Sequence, residues 1–148
     1  MQYLSVHDLV WLNTTLTGTT SPFDYRSLEA VMAAQYGYGD SRNVPAQAAE
    51  LLATALRERP FASGNARTAF VCVATFLIAN GHAVAANDEQ ATVLVRAVES
   101  GEMDARVAID RLSAATGAPL SPGADLRQLV GRIIMEFSGA IARLSEGD

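Results

Sequence analysis

Along most of the chain, apolar residues recur every three or four positions, which is the spacing of a helix that buries one face. Glycine, proline or asparagine separates these stretches. The spacing predicts a short extended piece and helices over residues 7–16, 25–35, 45–57, 65–79, 87–99, 104–115 and 125–144. We therefore expect an all-α fold, a bundle of six or seven helices with almost no sheet.

The stretch 65–79 differs from the other predicted helices because it is almost wholly apolar after its first turn. A helix that is apolar on every side must be covered on every side. Asn80 and Gly81 supply its end, and the extended piece follows at 82–85. We therefore expect this helix to form the buried centre of the bundle.

Composition agrees with a folded domain and disfavours two classes of partner. Hydrophobic residues make up 49% of the 148 residues and charged residues 18%, which is too apolar for a disordered chain. No apolar run reaches the roughly 18 residues of a membrane helix, and the first residues lack the basic flank of a secretory signal. The net charge of −5 disfavours nucleic acid. With a single cysteine, we expect a cytoplasmic protein that engages neither nucleic acid nor a membrane.

The residue types also exclude several kinds of enzyme. All 11 basic residues are arginine, which rules out a lysine nucleophile, a Schiff-base lysine and a P-loop lysine. The two histidines, His7 and His82, are far apart, and no Cys/His cluster has zinc spacing. The Gly-x-Ser-x-Gly elbow of serine hydrolases is absent.

One segment, directly before the predicted central helix, carries a specific signal. It reads Arg59-Pro60-Phe61-Ala62-Ser63-Gly64-Asn65-Ala66-Arg67. A Gly-Asn pair followed at once by a helix leaves backbone N–H groups that attract phosphate. Arg67, in the first turn, can add a charge-assisted contact. The alternative is an ordinary helix start, with Asn65 as a cap and Arg67 in solvent.

This segment resembles the signature of the Fic/Doc family (the Fido domain), His-x-Phe-x-Asp/Glu-Gly/Ala-Asn-Lys/Gly-Arg. The stretches 3–9, 76–81 and 101–103 are similar to the Doc (death-on-curing) toxin branch. The resemblance implies a Fic/Doc-like domain over residues 1–117, followed by a connector and an amphipathic helix over 118–148. It implies that the anion hole for a nucleotide is formed by Gly64, Asn65, Ala66 and Arg67, with support from Pro60, Phe61 and Ser63. Phe61 would be the buried anchor of this loop.

The sequence departs from the family signature at the positions that carry chemistry. Arg59 replaces the histidine that acts as general base, and a guanidinium cannot accept a proton at neutral pH. Ser63 replaces the acidic residue that holds magnesium, so magnesium is not expected here. Ala66 replaces the lysine or glycine. No catalytic residue of the family is therefore intact.

Three functions remain open at this point. The favoured one is a catalytically impaired relative that binds a phosphate-bearing ligand or a protein partner, such as a target or an antitoxin. The second is an active Doc-like toxin that transfers a phosphoryl or AMP group from a nucleotide to a protein hydroxyl. The third is an interaction protein whose anion site is a relic.

Other candidate residues carry weaker signals. Glu58, His7 and His82 could replace the missing base, although a surface or packing role is more typical of such positions. Cys72 lies within the apolar helix, where thiols are usually inert. A polar, glycine-rich loop at 36–44 places Asp40 and Arg42 where family members carry a flap for their targets, and a solvated turn is the alternative.

The last predicted helix lies outside the resemblance. Some Fic proteins carry an inhibitory Ser/Thr-x-x-x-Glu-Gly/Asn motif, but Ala142 stands four residues before Glu146, so this motif is absent. The helix could cover, in cis or on a second copy of the chain, a groove that antitoxins occupy elsewhere. The favoured alternative is that it completes the core or forms a homodimer seam.

Overall fold

The computed structural model describes residues 1–37, 39 and 42–148. Within them the chain forms eight helices and one two-stranded sheet. The helices are α1 (Val6–Thr17), α2 (Tyr25–Ala34), α3 (Val44–Glu58), α4 (Asn65–Ala79), α5 (Asp88–Glu99), α6 (Ala105–Leu112), α7 (Leu126–Glu136) and α8 (Ser138–Leu144). The strands are β1 (His82–Val84) and β2 (Ser113–Ala115). The predicted all-α class is confirmed.

Helix α4 is the centre of the bundle, as its composition predicts. All of its residues are buried except Arg67 and Ile78, which are half-buried. It packs against α1, α3 and α7, so apolar neighbours cover it on several sides. The hydroxyl of Thr75 donates to the carbonyl of Val71 at 2.7 Å, which satisfies a polar group in the apolar interior.

The predicted last helix is two helices. The chain turns at Phe137, whose φ of −110° and ψ of 30° end α7 before α8 begins. Phe137 is buried, and its ring meets Phe70 edge to face at a centroid distance of 5.6 Å. The bend lets α7 pack on α4 while α8 packs on α5. The spacing of apolar residues did not show it, because each half is amphipathic.

The region after α5 also differs from the prediction. Helix α6 ends at Leu112, and the three residues that follow form β2, antiparallel to β1, with His82 opposite Ala115. Pairing with β1, which begins 31 positions earlier, has no local signature in this short segment, which is why the sequence predicted a helix to residue 115. The extended piece predicted after α4 is confirmed as β1.

The loop before α3 lies partly outside the described residues. Asp40 is among the residues that the structure does not describe, so its predicted partner contact stays a prediction. Arg42 is exposed and has a φ of 75°. Asn43 caps α3 by accepting a hydrogen bond from the backbone of Ala46. Among the described residues, no helix combines the length and the apolarity that crossing a bilayer requires.

Candidate functional site

The loop that precedes α4 is fixed by backbone pairing with the loop before α2. Phe61 forms an isolated antiparallel bridge with Phe23. The backbone of Asp24 donates to Pro60 at 2.8 Å, and that of Ala62 donates to Pro22 at 3.0 Å. The ring of Phe61 is buried, as expected of an anchor. The position of α4's first turn is therefore set by the two loops together.

Asn65 holds this loop against the helix. Its side-chain amide donates to the carbonyl of Phe61 at 2.7 Å and accepts from the N–H of Phe61 at 3.0 Å. The residue is 3% exposed. Gly64, and not Asn65, is the N-cap residue of α4. The role of Asn65 as a cap is therefore wrong, and its side chain does not point to a ligand because both polar atoms are engaged with Phe61.

Gly64 lets the loop approach α1 closely. Its φ is +78°, and a Cβ there would lie 2.5 Å from Cγ2 of Thr17 and 3.0 Å from Nδ2 of Asn13. Asn13, which the sequence analysis missed, is buried and donates to the carbonyl of Ser63 at 2.9 Å and to Oγ1 of Thr68 at 3.1 Å. The sequence held one signal for Asn13: it lies on the apolar face of α1, and an amide buried there must be paired with other polar groups.

The first turn of α4 binds a carboxylate of the same chain. No side-chain cap satisfies the N-terminus of α4 locally. Instead, the backbone N–H of Ala66 donates to Oδ1 of Asp148 at 3.0 Å, and that of Arg67 donates to Oδ2 at 3.3 Å. Nε of Arg67 lies 3.4 Å from the same Oδ2. The side chain of Asp148 is 1% exposed, so this charge is held almost wholly by those donors.

Arg67 is itself held in place at this site. Its side chain is 16% exposed, and Nη1 donates to the carbonyl of Leu16 at 3.4 Å. The guanidinium is thus fixed between α1 and the carboxylate, rather than moving freely in solvent. Of the four predicted hole residues, Ala66 and Arg67 contact the anion, while Gly64 and Asn65 shape the backbone.

Arg59 and Ser63, the two positions that depart from the signature, contact neighbouring side chains of the same chain. Arg59 has a φ of 44° at the end of α3, and its exposed Nη1 lies 3.6 Å from Oε2 of Glu99. The hydroxyl of Ser63 lies 3.4 Å from that of Ser21. Neither is positioned as a proton acceptor or an acidic metal ligand.

Arg96 connects this loop to the segment 145–148. Its Nη1 lies 2.9 Å from Oε1 of Glu99, the residue that also pairs with Arg59. Its Nη2 donates to the carbonyls of Glu146 at 2.7 Å, of Arg143 at 3.2 Å and of Leu144 at 3.3 Å. The sequence analysis did not single out Arg96, because the acceptors are backbone carbonyls about 50 positions away.

The side chains at the site do not suit a protein-held magnesium ion. In the described part of the chain, no three His, Cys, Asp or Glu residues are grouped as a metal would require. The carboxylate of Asp148 at the helix start is bound to N–H donors. Of the candidate bases, Glu58 lies 3.9 Å from Arg57, His7 is exposed, and His82 follows the opposite end of α4.

Cys72 gives a prediction about pH. Burial, and secondarily the charge of Asp8, raises the pKa of its thiol from 9.0 to about 12. Unfolding exposes the thiol to water, so between pH 9 and 12 the unfolded chain releases a proton that the folded chain keeps. Stability should be independent of Cys72 below pH 9 and should fall within that range, by up to about 1.4 kcal/mol per pH unit. Urea titrations from pH 8 to 11 on the wild type and on Cys72→Ala measure the difference in slope.

A thiol reagent provides a second check on the same residue. The folded protein should react at pH 8 only at its rate of opening, because the thiol is both buried and protonated. Labelling of the native protein as fast as labelling in urea would contradict the assigned burial.

Comparison with known proteins does not extend these observations: no family model, no curated protein and no solved structure matches the chain.

Proposed function

We propose that this chain is a Doc-like protein of Fic fold that binds a phosphate-bearing ligand at the N-terminus of α4 and is impaired in group transfer. The observation that carries the proposal is the carboxylate of Asp148 on the first turn of α4, bound by two successive backbone N–H groups and by Arg67. The signature segment 59–67 leads into that same turn.

The donors at this turn suit a phosphoryl group as well as a carboxylate. Both groups present two oxygens to neighbouring donors, and both gain from the positive end of the helix dipole. Arg67 adds a delocalised charge that is already fixed in place by Leu16. Gly64 lets the loop before this turn lie directly against α1, where a Cβ would meet Thr17 and Asn13. A nucleotide is the phosphate-bearing ligand that the family resemblance implies.

The impairment follows from Arg59 and Ser63. Arg59 cannot take a proton from a target hydroxyl, and its charge is paired with Glu99. Loss of a general base typically lowers a rate by about 10²–10⁴-fold. A protein with these residues binds an anion better than it transfers one.

Calorimetry on the wild type and on Arg67→Ala tests the proposal. The titrants are pyrophosphate, ATP, GTP, UTP and CTP, with and without magnesium. In Arg67→Ala the charge-assisted contact is lost, which should weaken binding of the titrants by about tenfold or more. Arg57→Ala is the matched control, because Arg57 is exposed on α3 and pairs only loosely with Glu58 at 3.9 Å. The proposal is contradicted if the wild type and Arg67→Ala bind the titrants equally well. It is also contradicted if neither the wild type nor Asp148→Ala binds any of them.

One observation favours a second candidate, an interaction protein with a relic anion site. The N–H groups of Ala66 and Arg67 are already satisfied by Asp148, so the turn needs no outside ligand to be stable. In that case Asp148 caps α4 from a position 82 residues away in the sequence. Its replacement would then lower stability and leave phosphate binding undetectable.

A further inference from the structure

The first two turns of α5 form one wall of a groove of about 340 Å³. Its other walls are the link between β1 and α5, at residues 85 and 86, and the last turn of α6, at Arg111. Glu89, in the α5 wall, lies ten positions before Glu99, which pairs with Arg59. At a rise of about 1.5 Å per residue, Glu89 is about 15 Å along α5 from that pair. The groove is therefore separate from the signature loop.

Hydrogen bonds at both sides of the groove hold it in shape. The N–H of Ala85 donates to the carbonyl of Leu112 at 2.6 Å, which joins the link to the end of α6, next to Arg111. Directly beside this contact, β1 and β2 pair with each other. At the start of α5, Asn87 and Gln90 form a capping box. The walls are thus in place before any ligand binds, and binding does not have to order them.

Much of the surface of the groove is apolar. It is lined by Ala85, Ala86, Val93 and Leu94. Val93 is 59% exposed, although valine is one of the residues most often buried in proteins. An apolar group that covers Val93 and Leu94 is removed from water together with them, and the hydrophobic effect then favours binding.

Two charges of opposite sign line the same groove without pairing. They are the carboxylate of Glu89 and the guanidinium of Arg111. In the part of the chain that the structure describes, neither of them forms an ion pair with the other or with any further residue. Asp88, next to Glu89, is by contrast engaged, since it accepts from the N–H of Ala140 at 2.9 Å. The groove therefore offers one anion and one cation beside an apolar surface.

We infer that this groove binds a free apolar α-amino acid, such as leucine. Arg111 donates to the carboxylate of the ligand, which can accept two parallel hydrogen bonds from a guanidinium. Glu89 accepts from the ammonium group, and Val93 and Leu94 contact the apolar side chain. An apolar amino acid carries these three groups on one carbon, which matches the three kinds of surface in the groove. The volume is at the lower end of the range for small-molecule sites, about 300–1,000 Å³, as suits a ligand of this size.

Titrations of the isotope-labelled full chain, followed by the chemical shifts of its backbone amides, test the inference. Leucine should shift the amides of 85–94 and of Arg111, and should leave those of 65–67 unchanged. Leucinamide lacks the carboxylate, and N-acetylleucine lacks the ammonium group. Each should bind about threefold or more weakly than leucine, because one charged contact at an exposed position is lost.

Two substitutions assign each charge of the ligand to its partner. Arg111→Ala should bind leucine and leucinamide alike, and Glu89→Gln should bind leucine and N-acetylleucine alike. Both residues are exposed, so both variants should fold. Arg106→Ala is the matched control, because Arg106 is exposed on the same helix as Arg111, outside this groove, and pairs with Asp110 at 3.2 Å. Its affinity for leucine should stay that of the wild type.

Three results would overturn the inference. The first is that leucine leaves the amides of 85–94 unshifted in the wild type. The second is that N-acetylleucine binds as well as leucine, since the groove would then fit the carboxyl end of a peptide. The third is that Arg111→Ala binds leucine as tightly as the wild type does. None of these results depends on phosphate binding at α4, so this inference and the proposed function can each fail without the other.

Discussion

Replacing Asn65 with alanine should lower the free energy of unfolding by about 2–5 kcal/mol, the cost of leaving two buried polar groups unpaired. The groups are the N–H and the carbonyl of Phe61, which Asn65 binds at 3.0 and 2.7 Å. The same variant should lose pyrophosphate binding, because the loop that sets the first turn of α4 is then free to move. Urea unfolding and calorimetry measure the two effects.

Asn87→Ala is the matched control for that substitution. Asn87 caps α5 at an exposed position, where it accepts from the N–H of Gln90 at 2.8 Å. Its loss should cost about 1 kcal/mol and leave anion binding unchanged. If the two alanine variants were equally stable, Asn65 would be acting as an ordinary surface cap, contrary to its burial and its contacts.

The double substitution Arg59→His with Ser63→Asp should raise transfer of a labelled group to protein by about 10²–10⁴-fold, the usual contribution of a general base. It restores the residue types of the family signature. Histidine is among the residues that tolerate a positive φ, so the backbone at 59, with its φ of 44°, can remain as it is. The new aspartate would face the hydroxyl of Ser21, which lies 3.4 Å from that of Ser63.

The measurement uses ATP labelled on the α or the γ phosphate, so that AMP transfer and phosphoryl transfer are distinguished. It is made with and without Asp148→Ala, because the carboxylate of Asp148 lies on the first turn of α4, where the proposed function places the donor's phosphate. The triple variant with Arg67→Ala is the control and should show only background. No labelling in either background would mean that the donor or target surface is missing, and would leave the interaction protein as the better account.

Toxic expression of the wild type that disappears in Arg67→Ala would favour an active enzyme.

Much of the bundle could be predicted because local spacing determines it. Helix α4 has the predicted bounds, since a long apolar run bounded by Gly64 and Asn80 leaves little alternative. The N-caps of α2, α3 and α5 follow from Asp24, Asn43 and Asn87, which bond to backbone within three residues. The bend at Phe137 could not be predicted, because it depends on where Phe70 and α5 lie in space.

The sequence predicted where the candidate site lies but not which groups contact each other there. The segment 59–67 indicated the first turn of α4, where Ala66 and Arg67 contact the carboxylate of Asp148, while binding of an outside anion stays a prediction. The contact with Asp148 could not be predicted, because Asp148 is 82 positions from Ala66 and lies in a short polar segment with no pattern. Of the two interpretations of Asn65, the cap of α4 was wrong, because the sequence does not show that its amide turns toward Phe61.

The separation of these partners along the chain also bears on the order of folding. Helix α4 is local and can form early, whereas its first turn is completed by Asn13 from 55 positions before Thr68 and by Asp148 from 82 positions after Ala66. Closing such long loops costs entropy that only the finished contacts repay. We therefore expect the first turn of α4 to acquire these partners late in folding, and substitutions at Asp148 to change the rate of unfolding more than the rate of folding.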